Sequence, residues 1–174
     1  LLATFFIMFR DSFGGELIWQ PFLRDLGFPI YAFGFLFSAS MILGSIAPLV
    51  AKPILKICKS EKNYLITLMV LGMLLNFGVM FVNNFYVGIM FMLSILFLID
   101  LFIPISGAFT QEFIPSKTRA TIISFKSMIV SLAYAISYPV AGFVAERFGT
   151  QNTIVMGGLF LIPAIYFYSK INLK

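Results

Sequence analysis

Residues 64–82 read YLITLMVLGMLLNFGVMFV, a run that carries no charge and one amide, Asn76. About 18–20 predominantly apolar residues suffice for an α-helix to cross the hydrocarbon core of a bilayer. Backbone groups find no water there, so a spanning run has to close its own hydrogen bonds as a helix. The same texture recurs in both directions along the chain. Residues 153–168, TIVMGGLFLIPAIYFY, are also free of charge. Runs of this kind fall near 1–22, 30–51, 64–82, 85–111, 120–142 and 153–169. The predicted fold class is all-α: a polytopic membrane protein whose six transmembrane helices form one bundle over residues 1–174. The stretches between the runs leave no room for a separate aqueous domain.

Composition agrees with the bilayer as solvent. Of 174 residues, 60% are hydrophobic and 11% charged, whereas soluble domains carry about 25% charged residues. Mean hydropathy is +1.00, and there are 22 phenylalanines. Histidine is absent and Cys58 is the single cysteine. An internal disulfide is therefore excluded, and ligands for zinc or groups for histidine-based catalysis are lacking. Cys58, read as part of a lysine-rich loop, is a bystander thiol. No cofactor and no metal are expected.

The net charge of +5 is not a nucleic-acid footprint, because the cations cluster at the ends of apolar runs. One side of the membrane would carry Lys52, Lys56, Lys59, Lys62, Lys117, Arg119, Lys170 and Lys174. The other would carry only Arg24 and Arg147, each beside an acid, Asp25 and Glu146. Cytoplasmic loops are enriched in Lys and Arg, so both ends of this chain are expected in the cytoplasm, with the protein integral to the plasma membrane. Lys126, about two turns into the fifth run, would snorkel towards the same face. The chain begins Leu-Leu and reads as a fragment or processed piece, without the basic n-region of a signal peptide.

An internal repeat is visible. PLVAKPILK (48–56) follows the second run's core and PVAGFVAER (139–147) the fifth's, with Pro48 and Pro139 91 residues apart. That shift overlays runs one to three on runs four to six. An odd number of helices per repeat inverts one repeat relative to the other, an arrangement common in transporters.

Polar residues are unevenly placed. Runs one and four hold Arg10, Asp11, Glu16 and Asp100, while runs three and six hold no charge. A central charge costs about 2.5–3.5 kcal/mol on the insertion scale, so four uncompensated ones would cost roughly 10–14 kcal/mol. They must be paired, protonated or wet. An Arg10–Asp100 or Arg10–Asp11 bond would remove much of the penalty. Such a pair could simply lock two helices together, or the groups could line an ion or substrate path.

At about 100° per residue, Arg10, Asp11 and Glu16 cannot all face one narrow cavity from a regular helix. Gly14 and Gly15 lie between them, where the backbone can bend or unwind. The alternative is that Gly-Gly permits close packing. Trp19 and Gln20 follow, Trp19 serving as interfacial anchor or as a stacking ring. In run four, Asp100, Pro104, Gly107 and Gln111 are spaced to share one face, and Pro104 invites a kink. Run five aligns Ser124, Ser127, Ser131, Tyr134 and Tyr138; run two aligns Ser40, Gly44, Ala47 and Ala51. Small residues at this spacing favour tight helix packing, and the Ser-Tyr stripe could also border a wet pathway. Asn76 is expected to make an interhelical hydrogen bond.

Three passages resemble the C-terminal half, helices seven to twelve, of a major facilitator superfamily transporter. WQPFLRDLGFPIYAFGFLFS (19–38) is similar to the end of the seventh helix, its outer loop and the start of the eighth. IPSKTRATIISFKSM (114–128) is similar to the inner loop leading into the eleventh, with Arg119 in the usual place. PVAGFVAERFGTQ (139–151) is similar to the outer end of the eleventh and its turn. The inner stretch AKPILKICKSEKN (51–63) lacks the acid and glycine of the family's cytoplasmic gate signature. The resemblance implies that helices seven and ten face a central cavity, eight and eleven flank a domain interface, and nine and twelve are peripheral. It also implies a missing N-terminal six-helix half or a partner chain.

The resulting expectation is secondary active transport of a small solute by alternating access, as symporter or antiporter. Protons are the simplest coupling ion, with Asp100 and Glu16 as carriers, since a carboxyl group taken out of water holds its proton more tightly. Pathway candidates are Arg10, Asp11, Glu16, Trp19, Gln20, Asp100, Gln111, Ser127, Ser131 and Tyr134. Hinge or gating candidates are Gly14, Gly15, Pro104 and Arg119. Sugars, organic anions and drugs all remain open as cargo. The rival readings are a non-transporting structural or receptor subunit, which requires the four charges to neutralise one another, and an intramembrane enzyme, for which no catalytic set is visible.

Overall fold

The computed structural model describes residues 2–112, 114–115 and 118–171, without the side chains of Glu16 and Glu112. The described elements are α1 (Leu2–Gly14), α2 (Glu16–Asp25), α3 (Phe33–Cys58), α4 (Glu61–Gly78), α5 (Phe85–Glu112), α6 (Arg119–Phe148), α7 (Thr150–Leu159) and α8 (Leu161–Ser169). Short 3-10 turns precede α3 and follow α4. Together these make six segments: α1–α2, α3, α4, α5, α6 and α7–α8. Five are long and apolar enough to cross a membrane, namely Ile30–Cys58, Glu61–Phe81, Phe85–Gln111, Arg119–Phe148 and Thr150–Ser169. The first segment is interrupted at Gly15, so neither of its pieces spans by itself.

The packing has the symmetry that the internal repeat predicts. Segment one lies against segments five and six, through α6, α7 and α8; segment four lies against segments two and three, through α3 and α4. Exchanging segments one, two and three for four, five and six turns the first set of contacts into the second. Segments three and six meet each other across the pseudo-two-fold. They are also the best covered of the spans, closing the back of the bundle behind segments one and four. Segments one and four meet mainly through α2 and its C-cap, whose Phe22, Leu23 and Leu26 pack on Gly88 of α5.

Helices run past the predicted apolar limits. α3 continues through Pro48 and Pro53 to Cys58 rather than ending near 51, and α6 continues through Pro139 to Phe148 rather than ending near 142. Hydropathy reports the hydrocarbon thickness, whereas a helix goes on into the interface while its backbone bonds are satisfied. Cys58 consequently ends α3, half-buried against the core, and does not lie in a loop. Lys59 then turns the chain at φ 63°, and Ser60 caps α4 by accepting from the Asn63 N–H at 3.1 Å. At the other end Gly149 adopts φ 87° between α6 and α7, a conformation that side chains disfavour.

Two side chains tie neighbouring segments at opposite ends. Gln151 Nε2 donates to the carbonyls of Val79 (2.9 Å), Met80 (3.3 Å) and Val82 (2.8 Å), which end segment three. Lys62 Nζ donates to the carbonyls of Ser169 and Ile171, each at 2.7 Å, at the end of segment six.

Apolar packing forms two clusters. One, around Phe13, Trp19, Phe22, Met92 and Ile154, lies towards the Gly149 end. The other, around Ala47, Tyr64, Leu68, Leu101 and Tyr168, lies towards the Ser60 end. Arg10, Ser12, Asn76 and Ser137 are buried polar residues at the inner margin of the first cluster, Arg10 and Ser12 between Phe9 and Phe13 and Asn76 between Leu75 and Val79, with Ser12 bonded to Ser137 across two helices. The bundle therefore carries a polar layer near its middle.

Candidate functional site

The polar layer begins at the interruption of the first segment. Gly15 is extended (φ −97°, ψ −170°), and its carbonyl accepts from the Ile18 and Trp19 N–H groups at 3.1 and 3.0 Å, starting α2. A side chain at Gly15 would run into the Asp11 carbonyl. The Trp19 indole N–H donates to the Gly14 carbonyl at 2.8 Å. Trp19 is 1% exposed and part of the apolar cluster. The ring thus braces the interruption from within the core rather than from an exposed interfacial position. The Gly-Gly pair combines both readings drawn from sequence, since the helix breaks there and the backbone also packs closely against segments three and six.

Arg10 is 5% exposed. Its Nη1 lies 3.9 Å from Asp11 Oδ1, the only ion pair among the described residues, and its Nε has no hydrogen-bond partner. Asp11 accepts from the Tyr134 hydroxyl at 2.7 Å, and Tyr134 stacks on Tyr138 with centroids 5.0 Å apart. One residue further, Ser12 Oγ and Ser137 Oγ share a hydrogen bond of 2.6 Å. Segment one is thereby fixed to segment five by two polar links at the level of its charges. Asn76 makes no bond to another helix, contrary to the sequence reading: Nδ2 donates to Gly72 within α4 at 2.6 Å, while Oδ1 is unpartnered. That oxygen is held against Gly14, whose missing side chain makes room for it.

A cavity of about 310 Å³ opens beside this layer. Segments one, three, four, five and six line it, with Arg10, Asp11, Tyr134, Lys126 and Ser106 among its polar groups and mostly aliphatic residues elsewhere. Its volume lies at the lower end of the range for small-molecule sites. Segments one and four both contribute to its walls.

Several sequence candidates meet here and several do not. Arg10, Asp11 and Tyr134 line the cavity together. Asp100 lies off the cavity: its carboxylate packs on Gly44 of α3, close enough that a Cβ at Gly44 would approach Oδ2 to 2.6 Å. The Arg10–Asp100 pair is therefore not formed. The α5 wall of the cavity is Ile99, Phe102, Ile103 and Ser106, so the Asp100, Pro104, Gly107 and Gln111 face is turned away by about one residue. Pro104 and Gln111 are exposed. α6 shows the same offset. Ser127 and Ser131 are exposed, whereas Lys126, Val130 and Tyr134 line the cavity. Gln20 and Arg119 are exposed, and the Glu16 side chain, like Lys117 and Lys174, lies outside the described residues. By contrast, the α3 stripe is where the sequence put it, with Ser40, Ala47 and Ala51 buried.

Lys126 is the cavity group whose place sequence reasoning missed. Its spacing of four and eight from Val130 and Tyr134 puts it on their face, whereas its depth alone suggested snorkelling. Among the described residues no group of three or more candidate metal ligands is found.

Comparison with known proteins gives the family. The chain is 28% identical over 157 residues to a Bacillus subtilis (strain 168) protein named "Uncharacterized MFS-type transporter YxaM". The match covers 87% of this chain and 38% of that relative, so the chain spans well under half the relative's length. No solved structure matches significantly. The sequence profile of the Major Facilitator Superfamily matches residues 1–171, and with six helical segments arranged as two matching triplets, the chain belongs to that superfamily.

Proposed function

We propose that this chain is the C-terminal six-helix half of a secondary transporter that moves a small solute across the plasma membrane by alternating access. The carrying observation is the cavity lined by segments one and four, bordered by a buried guanidinium whose one charged partner, Asp11, stands 3.9 Å away and whose Nε has no partner. A structural or receptor subunit would be expected to cancel its intramembrane charges internally. Here Arg10 has one partner at 3.9 Å, and Asp100 has no ion-pair partner among the described residues. Intramembrane charges left in this state mark pathways for solutes or ions.

In this reading the cavity is one wall of a path completed by an N-terminal half or partner chain. The interruption at Gly15 lets α2 change its angle to α1 as the halves rock, with Trp19 re-seating the turn. Protons couple the cycle through Asp100, which stands apart from the solute cavity beside Gly44 and can load and unload without displacing cargo. The excess of Lys and Arg at the Ser60 end orients that end to the cytoplasm.

The test is a solute screen on the full-length protein in liposomes, with and without an imposed proton gradient. Gradient-dependent accumulation of at least one solute is expected. Absence of gradient-driven movement for every solute class would refute the coupling, and absence of any exchange would refute transport.

A further inference from the structure

The charge balance of the cavity points to a class of cargo. Its described lining contains two cations, Arg10 and Lys126, and one anion, Asp11. Asp11 is already held by Arg10 at 3.9 Å and by the Tyr134 hydroxyl at 2.7 Å. Lys126 forms no ion pair among the described residues. The cavity is thus left with one uncompensated positive charge. Lys126 and Tyr134 are eight residues apart on α6, roughly 12 Å at 1.5 Å per residue, so the paired Asp11 lies well along the cavity from the free ammonium. Between these levels the walls are Ile99, Phe102, Ile103 and Val130, which offer apolar contact and no hydrogen bonds. On the facing helix, Ser106 already donates its hydroxyl to the Ile103 carbonyl at 3.1 Å, leaving its oxygen only as an acceptor. Thr4, Tyr134 and Tyr168 add only neutral hydroxyls to the lining, so the ammonium is the cavity group that carries unpaired charge towards a solute.

We propose that the cavity takes an amphipathic organic anion, an apolar body with one carboxylate or comparable group, the anion on Lys126 Nζ and the body against segments one and four. This deepens the transport reading and rests on it only for the movement of the ligand; binding is a separate property.

The probes are 2-naphthoate, its neutral amide, and 2-naphthylmethylamine, titrated calorimetrically into purified full-length protein. The carboxylate should bind about tenfold or more tightly than the amide, the scale of one charge-assisted hydrogen bond, and the amine should bind most weakly. Lys126→Gln should remove the preference for carboxylate over amide, and Lys126→Arg should retain most of it. Equal binding of all three probes, no binding of the carboxylate, or a preference untouched by Lys126→Gln would overturn the proposal. Should Lys126→Gln fail to fold, the carboxylate-to-amide ratio of the unmodified protein decides the matter. The two readings fail separately. Gradient-driven uptake of only neutral or cationic solutes leaves transport standing and removes the anion site, whereas naphthoate bound but no solute ever moved leaves the site standing and removes transport.

Discussion

Replacing Gly14 by alanine tests the contact on which the central layer is built. A Cβ at this position would stand 2.9 Å from Asn76 Oδ1 and 4.0 Å from both Asn76 Cγ and Arg10 Nε. Ordinary contact begins near 3.4 Å, so one neighbour must yield by about half an ångström. Asn76 cannot withdraw freely, because it is fully buried and its Nδ2 is bound to the Gly72 carbonyl at 2.6 Å. Overpacking of this kind costs about 1–3 kcal/mol. Gly→Ala in a helix returns about 0.5–1 kcal/mol, and less here, at the last residue of α1. A net loss of roughly 1–2 kcal/mol is expected. Asn76→Ala alone should cost about 1 kcal/mol, since it gives up one hydrogen bond but also an orphaned acceptor. In the double variant the clash is gone, so the losses should not add, and the coupling should be about 1–2 kcal/mol in favour of the pair. The assay is the unfolding midpoint of purified full-length protein in detergent for all four members of the cycle. A neutral or stabilising Gly14→Ala, or strictly additive losses, would refute the claim that Gly14 is small in order to admit Asn76.

Tyr134→Phe removes the 2.7 Å bond to Asp11; because Asp11 is about one-third exposed and regains water, stability should fall by only about 1 kcal/mol, while the solute-binding constant measured by titration should weaken several-fold. Asp100→Asn should abolish gradient-driven accumulation in liposomes and spare solute exchange, and uptake that still follows the proton gradient would remove Asp100 from coupling. Gln151→Ala cuts the link from α7 to three carbonyls at the end of segment three and should lower the unfolding midpoint by an amount equivalent to about 1–2 kcal/mol, with exchange per folded molecule unchanged.

The membrane segments and the helical class were legible because the bilayer demands length and self-satisfied backbones. The rotation of each helix was legible only in part. In water, an apolar stripe on a polar helix names the buried face. In lipid that contrast disappears, because hydrocarbon is as apolar as the core and association depends on close packing and polar contacts. α3 could be read because Ser40, Ala47 and Ala51 are small, and smallness marks the face where helices approach. α5 could not: Asp100 seemed to mark the cavity side, yet a half-buried carboxylate sits equally well against Gly44, and the true wall is made of Ile99, Ile103 and Ser106.

On α5 and α6 the cavity face is offset from the polar stripe by the same amount, one residue or about 100° of rotation, and this bears on how the site should be probed. On α6 the serines stand out because they are polar, but Ser127 and Ser131 are exposed on the bundle's surface. Lys126, Val130 and Tyr134 carry the cavity face with a cation at one end, an aliphatic middle and a phenol at the other. That alternation makes sense for a ligand whose charge and apolar body are separated, and makes little sense for a helix contact, which would prefer small residues such as Ala133, Ser137 and Ala141 on the buried face of the same helix. Two faces of one helix thus divide the work. The small residues hold α6 to the bundle and the large ones line the cavity, so substitutions at 133, 137 and 141 should act on folding, and those at 126, 130 and 134 on binding.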